Sequence, residues 1–139
     1  MDDYNALRQL KARYCQRLDD KDWAGFGELF LDDATWSYAG AGVDPPTSFT
    51  GREEIVQHMV NELANVTSAH HVTSSDLEIL NDTQARGRWG AFFMQGGSRL
   101  IGCGTYREEY VKAADGWRFR TIKVEQTMIT ITQQAALIP

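Results

Sequence analysis

The stretch LKARYCQRLDDKDWAGFGELFLDDATWSY, residues 10–38, contains the signals that decide the fold. Apolar residues recur at three- and four-residue steps through residues 4–18, which predicts an amphipathic first helix. Asp22 is placed to cap a second, shorter helix, so we expect a helical hairpin across residues 19–21. A short strand is predicted over residues 34–38. The stretch therefore predicts helix, helix and strand in that order.

A third helix and four long strands are predicted after this stretch. Residues 39–48 are rich in Gly and Pro and are predicted to form a loop. Thr50, with Glu53 three residues later, has the spacing of a capping box and predicts the start of the third helix. Strand-like runs separated by turn signals then occupy residues 71–79, 83–94, 100–111 and 117–131. These runs predict a four-stranded antiparallel meander.

The order of these elements indicates the fold class. Helices come first and long strands last, which is typical of an α+β fold with the helices packed on one face of a curled sheet. A chain of 139 residues can bury one core, so residues 1–139 are predicted to form a single domain. With 42% hydrophobic and 24% charged residues, the composition is that of an ordinary globular protein.

Charge and hydropathy narrow the classes of partner. The net charge is −5 and the basic residues are scattered, whereas nucleic-acid binding requires clustered Lys and Arg. Arginines alternate along the later strands beside Glu108 and Glu109, and we expect them all on a solvated sheet face. No apolar run would span a membrane and no signal sequence is evident, so we expect a cytoplasmic protein. Cys15 and Cys103 are too few for a disulfide framework.

Strand alternation makes a prediction about two adjacent histidines. A sheet curled over helices leaves an apolar pocket in which a few polar groups orient a small ligand. His71 alternates with Leu77 and Ile79 on one strand face, whereas His70 shares the other face with Asp76 and a further acid. Since the acidic face should be wet, His71 is predicted to point into the pocket.

Asp19 is the candidate partner for this histidine. It ends the first helix, and spacing alone is also compatible with a polar turn residue there. If Asp19 reaches His71, the carboxylate orients the imidazole and raises its basicity, which makes a general base. Otherwise His71 is a buried core histidine. Tyr14 and Tyr38 either donate to a carbonyl oxygen in the same pocket or serve as amphipathic core residues.

Metal and cofactor sites find little support in the sequence. His58 lies off the apolar stripe of the third helix and is expected to be exposed, so no metal triad forms. The glycine-rich stretches lack the spacing and the Lys of a phosphate loop. We therefore predict a protein without metal or cofactor.

As an ordered set, the motifs of the chain resemble the SnoaL-like group of the ketosteroid isomerase and scytalone dehydratase superfamily. The stretch over residues 10–38 resembles the helix pair and first strand of these proteins. The later motifs follow in the usual order, and they are GREEIVQHM, SAHHVTSSDLEI, ARGRW, GTYREEY and DGWRF. The resemblance implies a nuclear transport factor 2-like, cystatin-like fold, in which three N-terminal helices pack on a cone-shaped, curled antiparallel or mixed sheet.

The resemblance also implies site residues. Dehydratases and dehydrohalogenases of this group carry a catalytic Asp in the first interhelical turn and a His early in the second strand, which match Asp19 and His71. The first-helix Tyr of bile-acid 7α-dehydratase is similar to Tyr14, and the first-strand Tyr of scytalone dehydratase is similar to Tyr38. Ketosteroid isomerase has its Asp base where this chain has Tyr38, so that isomerase mechanism does not carry over.

Taken together, these features predict a cofactor-independent lyase of the dehydratase type. The substrate would be a small hydrophobic molecule with a ring, and four residues are expected to form its apolar wall: Trp36, Trp89, Phe93 and Met94. One alternative is a non-catalytic binding or assembly module of the same fold, and another is a polyketide cyclase or isomerase. The resemblance further implies a homo-oligomer, either a dimer or a trimer.

Overall fold

The computed structural model describes residues 1–97 and 100–131, which form three helices and six strands. The helices are α1 (Asp3–Asp19), α2 (Trp23–Gly27) and α3 (Arg52–Leu63). The strands are β1 (Phe30–Gly40), β2 (Thr47–Thr50), β3 (Ser68–Ile79), β4 (Gln84–Gln95), β5 (Leu100–Ala113) and β6 (Gly116–Ile131). The predicted α+β class is confirmed. No helix in these two ranges is long and apolar enough to cross a bilayer.

The six strands form one mixed, curled sheet in the order β2-β1-β6-β5-β4-β3. Strands β3 to β6 pair antiparallel in sequence, as the predicted meander requires. Strand β1 joins the free edge of β6 in parallel, and the short β2 then pairs antiparallel with β1. Helix α1 packs against β3 and β6, while α3 packs against β1 and β2. The helices therefore cover the inner face from one sheet edge to the other.

The first helix is held by its cap and by one buried stripe. The Asp2 carboxylate accepts from the backbone N–H of Asn5 at 2.9 Å, which satisfies one of the free amides of the first turn. The predicted apolar stripe faces the sheet, and each member is at most 3% exposed: Leu7, Leu10, Tyr14 and Leu18. Burial of that stripe, more than intrinsic helix propensity, stabilises α1.

The start of the third helix differs from the prediction. Thr50 is the last residue of β2, and its backbone N–H donates to the Glu54 carboxylate at 3.1 Å. Helix α3 instead begins after Gly51, whose φ of 98° suits a residue without a side chain. The predicted capping box of Thr50 and Glu53 is therefore wrong, because pairing of β2 with β1 keeps Thr50 extended.

A β-bulge in β3 reverses the predicted facing of the two histidines. Thr73 pairs with Gly90 and Asp76 pairs with Arg88, so three steps along β3 match two steps along β4. The backbone of Ser74, with φ of 52°, absorbs the extra residue. Alternation therefore changes phase in the middle of the strand.

As a result, His70 and Val72 share the inner face with Leu77 and Ile79, which are all partly buried. His71 is exposed on the outer face. The prediction that His71 points inward is wrong. It assumed unbroken alternation from His71 to Leu77 and Ile79, whereas the bulge between them exchanges the two faces.

Candidate functional site

A cavity of about 230 Å³ lies between the helices and the inner face of the curled sheet. Its walls are mostly aromatic and aliphatic, with contributions from α1, α3 and most of the strands. Six of its lining residues bear on function, and they are Tyr14, Trp36, Tyr38, His58, His70 and Phe93. An apolar hollow with few polar groups is the usual form of a small-molecule site.

His70 and Asp19 meet at the wall of this cavity. The His70 Nδ1 atom lies 2.6 Å from Asp19 Oδ1, and the His70 backbone N–H donates to Asp19 Oδ2 at 2.9 Å. Both carboxylate oxygens therefore contact one residue, which sets the orientation of the imidazole. The His70 side chain is 10% exposed and that of Asp19 is 23% exposed. The pair is thus largely shielded from bulk water.

A short polar chain supports the Asp19 carboxylate from the other side. The Ser68 hydroxyl donates to Asp19 Oδ1 at 3.0 Å, and the Lys21 ammonium donates to Ser68 Oγ at 2.9 Å. Lys21 reaches this position because its φ of 60° turns the chain back at the end of α1. The helix end, more than the helix face, places Asp19 over the start of β3. Asp19 therefore need not share the face of α1 that carries Tyr14.

The hydrogen bonds hold the Asp19 carboxyl in its ionised form. Burial would raise the pKa of this carboxyl, but donation from the side chain and backbone of His70 and from Ser68 outweighs burial and lowers the pKa below its ordinary value. An ionised Asp19 accepts the Nδ1–H of His70. In the neutral form of the ring, the second nitrogen, Nε2, then carries the lone pair.

This lowered pKa predicts a pH-dependent contribution to stability. A carboxyl whose pKa is lower in the folded state stabilises the fold above its ordinary value of 3.8, and that contribution is lost as the pH falls through the folded pKa. The gap in unfolding free energy between wild type and Asp19→Asn should therefore shrink from about pH 6 to about pH 3 in urea titrations. Asp20→Asn is the matched control because the Asp20 side chain is exposed. A gap for Asp19→Asn that is constant with pH would contradict the assignment.

His58 also lines the cavity, contrary to the prediction that it is exposed. Its ring stacks on Phe49 with centroids 4.2 Å apart and tilts against Trp36 at 5.0 Å. The prediction is wrong because the curled β1 and β2 wrap around α3 and cover more of the helix than its main apolar stripe. In residues 1–97 and 100–131, no three His, Cys, Asp or Glu side chains converge as metal ligands.

The two predicted tyrosines both line the cavity but differ in their hydrogen bonds. The Tyr14 oxygen accepts from the Trp36 Nε1–H at 3.1 Å, which leaves its own proton to donate. The Tyr38 hydroxyl donates to Gln126 Oε1, so its oxygen can only accept from a ligand while that bond is kept. Burial raises the pKa of both phenols, so both are neutral at physiological pH.

Of the four predicted wall residues, two line the cavity and two do not. Trp36 and Phe93 face it, and Phe93 stacks with His70 at a centroid distance of 6.2 Å. Trp89 lies deeper in the core, where its Nε1–H donates to the Tyr110 hydroxyl at 3.0 Å. Met94 is 37% exposed on the outer face of the sheet. Met94 follows Phe93 directly, so alternation along β4 puts the two on opposite faces.

A buried ion pair beneath the cavity was not predicted from the sequence. Lys11 Nζ lies 2.5 Å from Glu108 Oε2, and both side chains are fully shielded. Glu108 also accepts from the Tyr110 hydroxyl at 2.6 Å, and the Lys11 ammonium lies 3.4 Å from the centroid of the Tyr106 ring. The expected solvated position of Glu108 is therefore wrong. The signal was available, since Glu108 alternates between two inward tyrosines and Lys11 lies four residues after Leu7 on the buried stripe.

Comparison with known proteins agrees with this architecture. The family model described as SnoaL-like domain matches residues 1–123. A probable cyclase of Gibberella zeae is 22% identical over 132 residues, covering 86% of this chain and 88% of that protein.

Two solved structures share the fold. One, from Novosphingobium aromaticivorans, bears the provisional name scytalone dehydratase and superposes with a TM-score of 0.82 at 22% identity, covering 96% of this chain and 89% of its own. The other is a hexachlorocyclohexane dehydrochlorinase from Novosphingobium barchaimii, with a TM-score of 0.79 at 17% identity and coverage of 98% and 94%. Because the family model matches most of its length, the chain belongs to the SnoaL-like domain family.

Proposed function

We propose that this protein is a cofactor-independent lyase of the dehydratase type, with His70 as its general base and Asp19 as the residue that orients it. His70 takes the role that the sequence analysis gave to His71. The observation that carries the proposal is the 2.6 Å contact between His70 Nδ1 and Asp19 Oδ1 at the wall of an apolar cavity.

The proposed reaction starts with removal of a proton from carbon. Asp19 holds the proton of Nδ1, so Nε2 of His70 takes the proton from a carbon next to a carbonyl. The C–H electron pair moves toward the carbonyl oxygen to form an enolate. In a dehydration, this pair then forms a C=C bond while the C–O bond breaks, and the departing oxygen leaves as water by taking back the proton that Nε2 of His70 removed.

In this proposal Tyr14 stabilises the enolate. Its oxygen already accepts from Trp36, so its proton is available to the developing negative charge. Tyr38 donates to Gln126 and would accept from a substrate hydroxyl. These roles divide the two tyrosines into a donor and an acceptor.

The cavity sets the size and shape of the proposed substrate. Its volume of about 230 Å³ lies below the roughly 300 Å³ at which drug-sized pockets begin. Phe93 beside His70, and Trp36 stacked near Tyr38 with centroids 5.9 Å apart, form flat walls. A compound with one or two rings is of a size that these walls accommodate.

A cyclase or isomerase is the second candidate, favoured by the similarity to the probable cyclase of Gibberella zeae. Either reaction uses the same base and enolate but loses no water. A non-catalytic binding module would bind a ligand in the same cavity but would not remove a proton from its carbon. Proton removal is therefore the step that separates the catalytic proposals from the non-catalytic one.

Deuterium exchange tests that step without knowledge of the natural substrate. The bicyclic ketone 2-tetralone in D2O should exchange its α-protons faster with the protein than without it, followed by proton NMR. Asp19→Asn should lower the protein-dependent rate by about a hundredfold or more, because the amide no longer holds the imidazole in the required tautomer. An unchanged rate in Asp19→Asn, with the fold intact by circular dichroism, would reject the mechanism.

A further inference from the structure

His58 and His70 reach the same cavity from opposite edges of the curled sheet. His58 lies on α3, which packs against β1 and the edge strand β2. His70 lies on β3, the other edge strand. Both side chains line the cavity, so a ligand bound there can contact both histidines. The proposed mechanism uses only His70.

Two aromatic side chains of the sheet hold the ring of His58. One face stacks on Phe49 with an interplanar angle of 21°, and Trp36 packs against the ring at 43°. The nitrogens are on the ring edge, and within residues 1–97 and 100–131 neither donates to nor accepts from a protein group. A half-buried imidazole without a protein partner in the wall of the cavity is free to hydrogen-bond with a bound ligand.

His58 is neutral near physiological pH. Burial lowers its pKa from the ordinary value of 6.5, and Glu62, one helical turn further on, only partly opposes this. A neutral imidazole offers one N–H donor and one lone pair. It can therefore bind a hydroxyl or a carbonyl oxygen without bringing a charge into the cavity.

We propose that His58 binds an oxygen substituent of the ligand on the side of the cavity away from His70 and Asp19. The ligand class is then a compound with one or two rings that carries a hydroxyl or carbonyl group distant from the carbon that loses its proton. This inference rests on the proposed function in one respect, which is that the carbon that loses its proton lies beside His70. Binding of the oxygen by His58 does not depend on any reaction of the ligand, so measurements of affinity alone can test it.

The test compares two probes of nearly the same shape, 2-naphthol and 2-methylnaphthalene. The first carries a hydroxyl group where the second carries a methyl group. Wild-type protein should bind 2-naphthol about tenfold more tightly in NMR titrations, as expected for one hydrogen bond in an apolar site. His58→Leu should lose this preference while still binding 2-methylnaphthalene. His58→Gln, whose amide donates and accepts, should keep most of the preference.

Asp19→Asn separates this inference from the proposed function. The variant should retain the preference for 2-naphthol even though its exchange activity is lost. If His58→Leu keeps the preference, or if wild type shows none, the inference is overturned. If exchange fails in wild type but the His58 variants behave as expected, the lyase proposal fails and the binding site stands.

Discussion

His70→Gln should lower the protein-dependent deuterium exchange of 2-tetralone by about a hundredfold to ten-thousandfold, the usual contribution of a general base. Glutamine can still donate to Asp19 and fill part of the space beside Phe93, so the fold should survive. It has no basic nitrogen, because the lone pair of an amide nitrogen is delocalised. The loss should therefore appear in the rate, with little change in the affinity for 2-naphthol.

His71→Gln is the matched control for this prediction. His71 is the next residue of the same strand, and it is exposed on the outer face of the sheet. Its replacement should leave the exchange rate within about twofold of wild type, since surface substitutions rarely disturb a fold. The pair of variants tests the bulge directly. Equal losses in both variants, or a loss in His71→Gln alone, would contradict the facing that the bulge imposes.

Lys11→Met should destabilise the protein by about 3–5 kcal/mol, because it leaves the Glu108 carboxylate buried without its cation. For a chain of this length the change corresponds to a fall in Tm of roughly 10–17 °C. The effect should be visible in thermal or urea unfolding. It arises from the uncompensated charge more than from lost packing, since Met fills nearly the same volume as the Lys stem.

The double variant Lys11→Met, Glu108→Gln separates these two causes. The neutral amide that replaces the Glu108 carboxylate can still accept from the Tyr110 hydroxyl, while no charge remains to be desolvated. We expect the double variant to recover at least half of the stability lost in Lys11→Met. Losses that simply add would show that the pair is not coupled in this way.

The arrangement of helices and strands could be predicted because it depends on local patterns. The spacing of apolar residues in α1 and the turn signals between β3 and β6 each act over a few residues. The four predicted strands agree with β3 to β6 to within about three residues at each end. The short strand β2 was not predicted, because it pairs only with β1 and has little pattern of its own. Its first two residues lay in the predicted loop, and Thr50 was predicted to begin the third helix.

The candidate site was only partly predictable, for a reason that lies in the sheet. Asp19 follows from its place at the end of a helix. The choice between His70 and His71 depends on a single extra residue near Ser74. The alternation of apolar and polar residues does not show where such a residue is inserted, so the bulge could not be located from the sequence. The exposure of Met94 follows from alternation along β4 and could have been predicted.

The amino-acid sequence by itself determined the α+β class, the order of the elements and Asp19 as the candidate acid of the site. Tertiary structure alone decided which histidine meets Asp19, that His58 turns into the cavity and that Lys11 finds Glu108 in the core. The physical reason is distance along the chain. Helix and strand patterns arise between neighbours, whereas these contacts join segments far apart in sequence, so they exist only once the sheet has curled around the helices.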